Sequence, residues 1–354
     1  MIRTANEWSD LAGWVLVVGL PSPFLEQQSA AALRQLRPAG VILFARNLDR
    51  PSDLAGLVAA LGSHLSAPHF LGLDQEGGRV SRLRSWIGPV PSAAALSARG
   101  EAATRAAALA TGSALRSLGF NIDFAPVVDL GEPGSPGAIG DRAFGTDPER
   151  VAHLAGIFLD GLQETGIAGC IKHFPGIGNT AVDPHEALPV FRCDPGTLLG
   201  RDLLPYRRLG PRAASVMVGH GSYPDLDPLP GRPATLSPPI VTGWLRERLG
   251  YSGLVVTDDM EMGAVAPLDP DGSAAVAAIA AGCDLLLYCK DLDRAYRARD
   301  ALASAAASDP AFAARLEAAA DSVRRTAARY PTAPVDLAAF ETARAAFADL
   351  APLA

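Results

Sequence analysis

Residues 167–174 read IAGCIKHF, and the fold turns on how that run is read. It is apolar or small without a break from Ile167 to Ile171, and then it carries Lys172 and His173. An unbroken apolar run, rather than strict alternation, marks a strand covered on both faces, as in a parallel sheet lying under helices. Seven other runs share this character: WVLVVGL (14–20), GVILFA (40–45), FLGLDQ (70–75), NIDFAPVVD (121–129), ASVMVGH (214–220), SGLVVTDD (252–259) and CDLLLYC (283–289). Helix-like Ala/Leu/Arg-rich stretches fill the gaps at 25–37, 52–65, 93–118, 147–165, 196–209, 238–249, 272–281 and 291–306. Pro51-Ser52-Asp53 and Ser237-Pro238-Pro239 read as helix starts, and Gly119 and Gly250 as helix stops.

Eight such units predict an α/β chain folded as one (β/α)8 TIM-type barrel. A doubly wound open sheet would show a glycine-rich phosphate loop after its first strand; here that position reads GLPSPF (19–24). The expected division is a catalytic barrel over 1–330 and an appendage over 331–354. In the appendage, PTAP (331–334) is a linker, and 336–349 is an apolar helix that docks on the barrel or on a partner subunit. No internal repeat stands out.

Composition narrows the function. The 354 residues are 49% hydrophobic and 19% charged, with a formal net charge of −7 and no lysine/arginine block, which argues against a nucleic-acid partner. The start MIRTANEWSD lacks the charged and apolar regions of a signal peptide, and the apolar run at 14–20 is too short to span a bilayer, so a cytoplasmic protein without a membrane partner is expected. Cys170, Cys193, Cys283 and Cys289 contain no CxxC and read as reduced, mostly buried thiols rather than a disulfide framework or zinc site.

Barrel enzymes build their sites at the C-terminal ends of the strands. The third strand ends in Asp74-Gln75-Glu76-Gly77-Gly78-Arg79, with Arg82 close behind; the fourth leads to Asp129 and a loop carrying Arg142. The fifth ends in Lys172-His173, the sixth in His220 and the seventh in Asp258-Asp259. Asp258 follows directly on its strand, where it can point into the barrel mouth. Asp259 reads equally well as a cap for the next helix. His64, His69 and His153 read as structural, and His220 as bordering the site without a catalytic role.

The loop after the fifth strand, to Pro189, concentrates ionisable groups in a segment too broken for helix or strand. Asp183-x-His185, with His173 upstream, admits a metal reading, but no second close histidine supports it. The preferred reading is an Asp183–His185 dyad in which the carboxylate orients an imidazole that titrates near ~6.5 and so both donates and accepts a proton. Pro184 favours an extended Asp183. Gly176 and Gly178 supply hinge freedom.

Six segments together resemble glycoside hydrolase family 3, in its single-domain β-N-acetylhexosaminidase branch: LDQEGGRVSRL (73–83), GFNIDFAPVVD (119–129), IGDRAFGTDP (139–148), KHFPGIGNTAVDPH (172–185), PATLS (233–237) and VVTDDMEM (255–262). The resemblance covers about residues 12–300 and implies a retaining glycosidase. By position Asp258 would be the nucleophile that forms a glycosyl-enzyme intermediate, and His185 with Asp183 the general acid/base. Most glycosidases use two carboxylates, and this branch resembles an exception. Asp74, Arg82, Arg142, Lys172 and His173 match its sugar-binding positions. The implied substrate is a terminal β-linked N-acetylglucosamine on cell-wall muropeptides, in cytoplasmic peptidoglycan recycling, with no metal or organic cofactor. A β-glucosidase is disfavoured by TDDMEM where those members read SDW, and by a chain too short for their further domain. A phosphorylase that lets phosphate intercept the same intermediate, and a degenerate sugar-binding barrel, remain alternatives. The family loop usually reads KHFPGHG and then DSH, so Ile177 and Pro184 depart from it, which leaves the aglycone open. Oligomeric state is not indicated.

Overall fold

The computed structural model describes residues 3–132, 134, 135, 137–178 and 188–350. Eight parallel strands close into a barrel. They are β1 (Leu16–Gly19), β2 (Gly40–Ile42), β3 (Phe70–Leu73), β4 (Ile122–Asp123), β5 (Ala168–Phe174), β6 (Ser215–Val218), β7 (Leu254–Asp259) and β8 (Leu285–Tyr288). Their order around the barrel follows the chain, and β8 closes on β1 with Leu16 opposite Leu286. That order follows from the connections, since parallel neighbours need a crossover helix and each crossover turns the same way.

The eight apolar runs all become strands, most of them shorter than expected at the C-terminal end. There the chain leaves the ladder and its polar side chains turn to the barrel mouth. Within β1 the period of two is plain: Leu16 and Val18 belong to the layer between strands and helices, while Val17 belongs to a separate cluster. That second cluster takes a residue from every strand (Val17, Ile42, Phe70, Ile122, Cys170, Met217, Val256 and Leu287) and is the packed lumen. All four cysteines are unpaired; Cys170, Cys283 and Cys289 are buried and Cys193 is half-buried.

The helices depart from expectation in four places. The stretch 93–118 breaks at Gly100, whose φ of 87° interrupts the α conformation, into Ala93–Arg99 and Glu101–Ser117. The stretch 196–209 divides into Pro195–Gly200 and Leu204–Leu209, and 238–249 is a wider π-type helix over Pro239–Arg248. An unforeseen helix, Ala5–Gly13, opens the chain. Its capping box was readable as Thr4-x-x-Glu7: the Thr4 hydroxyl accepts from the Glu7 N–H and the Glu7 carboxylate from the Thr4 N–H. After β3 a small hairpin, Gln75–Gly77 with Val80–Ser81, folds back over the barrel mouth. Gly77 and Gly78 make its turn with φ of 94° and 57°.

Beyond the barrel, helix Pro310–Arg329 leads through 331–335 to helix Leu337–Ala345. Phe340 is buried edge-on against Trp86, with ring centroids 6.2 Å apart, and the Arg99 guanidinium reaches the Leu350 carbonyl at 2.7 Å. Burying one such aromatic contributes about 2–3 kcal/mol. Among the described residues no helix is long and apolar enough to cross a membrane.

Candidate active site

The strand ends converge on a cavity of about 530 Å³ at the C-terminal mouth of the barrel. Asp74, Arg82, Arg142, Lys172, His173 and Asp258 all line it, as do Glu76 and Asp259. Six of the eight expected site residues are therefore brought together. The other two, Asp183 and His185, lie outside the described residues, as does Pro184. The metal reading depends on the same two positions; among the described residues no three His, Cys, Asp or Glu side chains are grouped to hold an ion.

The organising group is Glu76, which the sequence reading passed over. The hairpin turns it inward until its side chain is 4% exposed. Its two oxygens accept a fork from Arg142 at 2.7 and 2.8 Å, and Lys172 Nζ stands 2.7 Å from Oε1. Lys172, itself fully enclosed, also bonds Asp74 Oδ1 at 2.8 Å. Buried cations are tolerated only with close, well-oriented anions, so four groups from three separate segments stand or fall together. Burial alone would raise the Glu76 carboxyl, but the Arg142 and Lys172 charges outweigh it and hold the group far below the usual carboxylate range. Burial likewise opposes the charge on Lys172, and Asp74 and Glu76 reverse that and raise its pKa. Arg82 sits 3.4 Å from the second Asp74 oxygen and over the Phe44 ring, and its buried Nε has no partner.

Asp129, at the end of the fourth strand run, has a role that its place in the sequence does not signal. It is fully buried and fixes the start of the loop after β5. One oxygen accepts from both Nδ1 and the backbone N–H of His173, at 2.7 and 3.1 Å; the other accepts from the Ile177 N–H at 2.8 Å. The carboxylate sets the proton of His173 on Nδ1 and leaves Nε2 towards Arg142 Nη2, 3.5 Å away. Ile177 is buried with Val127, Ile139 and Ala143, so it ties the root of this loop to the segment that carries Arg142.

Asp258, next to last in β7, faces the cavity, with Oδ1 accepting from the Asp259 N–H at 2.8 Å. Burial pushes its pKa up, but the imidazoles of His173 and His220, the Asp259 N–H and Lys172 bring it below the ordinary value. It stands as an ionised carboxylate at neutral pH. Asp259 behaves oppositely: burial, then the Glu261 and Asp258 charges, push it up to about 6. It does act as a cap, accepting from the Glu261 N–H at 3.1 Å, but of a turn rather than of a helix. His220 is buried beneath the site and does not line the cavity. His64 bonds the Ala60 carbonyl and His153 pairs with Glu101, both away from the mouth.

The sequence profile of the glycosyl hydrolase family 3 N-terminal domain matches residues 15–325. The chain belongs to glycosyl hydrolase family 3. This family 3 chain is 40% identical over 282 residues to a protein named beta-hexosaminidase from Alkalilimnicola ehrlichii, covering 77% of this chain and 80% of that one. It also resembles the solved glycoside hydrolase family 3 beta-N-acetylglucosaminidase of Paenibacillus sp. str. FPU-7, with a TM-score of 0.86 and 34% identity. That match covers 93% of this chain but 64% of the Paenibacillus chain, so the chain spans less than two thirds of that relative. A beta-N-acetylhexosaminidase from Beutenbergia cavernae superposes with a TM-score of 0.82 at 29% identity, over 91% of this chain and 98% of the other.

Proposed function

We propose that the chain is a retaining exo-β-N-acetylglucosaminidase that releases terminal β-linked N-acetylglucosamine, with cell-wall muropeptides as its substrates. The observation that carries the reading is geometric: the Asp258 carboxyl at the end of β7 shares one sugar-sized cavity with the Asp74–Lys172–Glu76–Arg142 network. The names of the relatives support the same substrate class.

In this reading Asp74 accepts from sugar hydroxyls, Arg82, Arg142 and Lys172 donate to hydroxyl and acetamido oxygens, and His173, its proton held by Asp129, offers Nε2 as an acceptor. Asp258 attacks the anomeric carbon. The glycosidic bond breaks, and the departing oxygen takes a proton from His185, which Asp183 orients. His185 then removes a proton from water, the water oxygen bonds the anomeric carbon, and Asp258 leaves as carboxylate. A lowered carboxyl pKa suits Asp258 for both halves of this cycle, because it must be charged to attack and charged again when it leaves.

Turnover of an aryl β-N-acetylglucosaminide tests the reading. Wild type releases N-acetylglucosamine and Asp258→Asn loses at least ~10³-fold in kcat; full activity in that variant would end the assignment. His185→Ala is expected to lose far more rate on a natural disaccharide than on an activated aryl glycoside, because a good leaving group needs little protonation. Equal losses on both substrates would remove His185 from the acid role.

A further inference from the structure

Two arginines cross the seam between the hairpin after β3 and residues 137–142, one from each side. Arg142 reaches into the hairpin and forks onto Glu76 at 2.7 and 2.8 Å. Arg79 reaches the other way. Its Nη2 lies 2.5 Å from the Ala138 carbonyl oxygen and 3.2 and 3.4 Å from those of Ile139 and Gly137, and its Nε is 3.3 Å from Asp141 Oδ1. The two side chains meet on one atom, because Arg142 Nη1 donates to the same Ala138 carbonyl at 3.0 Å. The seam is close-packed at the turn: a Cβ on Gly78 would lie 2.7 Å from Ser92 Cβ and 3.2 Å from Asp141 Oδ2. A guanidinium is a rigid planar fork, so the acceptors around it set its plane. For Arg142 these are the Glu76 carboxylate, which Lys172 also holds, and the Ala138 carbonyl. A carbonyl oxygen accepts two bonds, and Arg79 supplies the second one to Ala138.

We infer that Arg79 is a positioning residue: it pins the Ala138 carbonyl and so sets the plane in which Arg142 meets a sugar. The inference rests on the sugar-binding reading above. Arg79 is half-exposed, and so is its partner Asp141, with side-chain exposures of 50% and 43%. Such a pair contributes little to stability, so its loss should be felt in binding rather than in folding. Arg79 also lines the cavity. The rival reading is therefore that it touches the sugar itself, and the two readings differ in how substitutions combine. A residue that works through Arg142 has nothing left to position once the Arg142 fork is gone, whereas an independent contact keeps its full effect.

Arg79→Met keeps the stem and removes every donor. Its KM for an aryl β-N-acetylglucosaminide should rise about tenfold, the scale of one displaced charge-assisted hydrogen bond. The Kd of N-acetylglucosamine, read by titration calorimetry, should weaken in parallel, while kcat changes far less and the melting temperature stays close to that of wild type. Arg79→Lys keeps one cationic donor for Ala138 and should fall between the two. Arg105→Met is the control. It removes a similarly exposed pair with Glu164, between helices Glu101–Ser117 and Pro148–Glu164, and should leave KM unchanged. The deciding comparison is made in Arg142→Lys, which keeps the charge that Glu76 needs; there Arg79→Met should add little further loss. Effects that multiply in the double variant would make Arg79 a sugar contact and overturn the positioning role. An unchanged KM and Kd in Arg79→Met, with or without a lower melting temperature, would overturn it too. If Arg79→Met does not fold, Arg79→Gln carries the same comparisons. Wild type that binds the sugar without hydrolysing a glycoside, and binds it less well as Arg79→Met, would sustain the positioning role and sink the hydrolase reading. Wild type that neither binds nor hydrolyses overturns both.

Discussion

Glu76 shows why a site residue can sit in plain view and be passed over. In LDQEGGRV it stands among other polar residues at a strand end, and nothing in the sequence singles it out. Only the hairpin, closed by Gly77 and Gly78 with positive φ, folds it down onto Lys172 and Arg142. Asp258 was legible for the opposite reason: it follows an unbroken apolar strand, so its direction was set by the strand itself. Glu76→Gln keeps the shape but puts an amide NH₂ where a fully buried ammonium and a guanidinium both need an anion. Removing one partner of a buried ion cluster costs about 3–5 kcal/mol. We therefore expect a large drop in melting temperature together with a rise in KM, read by calorimetry and by kinetics on the aryl substrate. Glu76→Gln with wild-type stability and KM would mean that Asp74 alone holds the two cations.

At the scale of the element, the root of the loop after β5 is built more tightly than its sequence suggested. Both Gly176 and Gly178 read as hinges. Gly176 has a φ of 130°, which favours glycine there. Gly178 does not have positive φ; it is needed because a Cβ there would lie 1.6 Å from the Leu130 carbonyl oxygen. Around it, Tyr223 donates its hydroxyl to the Gly176 carbonyl, and Phe191 stacks on Tyr223 at 4.8 Å. Close approach of two backbones has no one-dimensional signature, so this role was not readable. Gly178→Ala should lower both stability and turnover, because the loop root must move away from the segment leading to Arg142. Gly56→Ala, at an exposed helix position with nothing within 4 Å of the added carbon, is the control and should be neutral or stabilising by up to about 1 kcal/mol. Equal behaviour of the two variants in a thermal melt and a rate assay would contradict the account.

For the whole molecule, the barrel was legible because one signature repeats eight times, and each copy carries the same information about burial on both faces. The breaks at Gly100 and within 195–209 were not, since alanine-rich stretches read as helix whether or not they turn. The appended segment, over its described residues 331–350, we propose to be a brace rather than part of the catalytic unit. Its Phe340 covers Trp86, and the Asp336 N–H bonds the Ser117 carbonyl at 2.8 Å. A chain ending at residue 330 should melt at a lower temperature, while kcat per folded molecule on the aryl substrate stays within a few-fold of the full chain. Loss of kcat without loss of stability would place the segment in the active unit.

The buried network at the barrel mouth also sets how the protein meets its solvent. Among the described residues, Arg79, Arg82, Arg142 and Lys172 line the cavity with Asp74, Glu76, Asp258 and Asp259, four cationic groups against four carboxyls, so the cradle is close to electrical balance before any sugar enters. An uncharged ligand arriving there displaces no counter-ion and is drawn by no long-range field. KM for a neutral N-acetylglucosaminide should therefore be nearly flat from low to high ionic strength, a regime in which exposed charge pairs are screened away. Recognition in this pocket is a matter of hydrogen-bond geometry, already assembled and already neutral, rather than of attraction across the water.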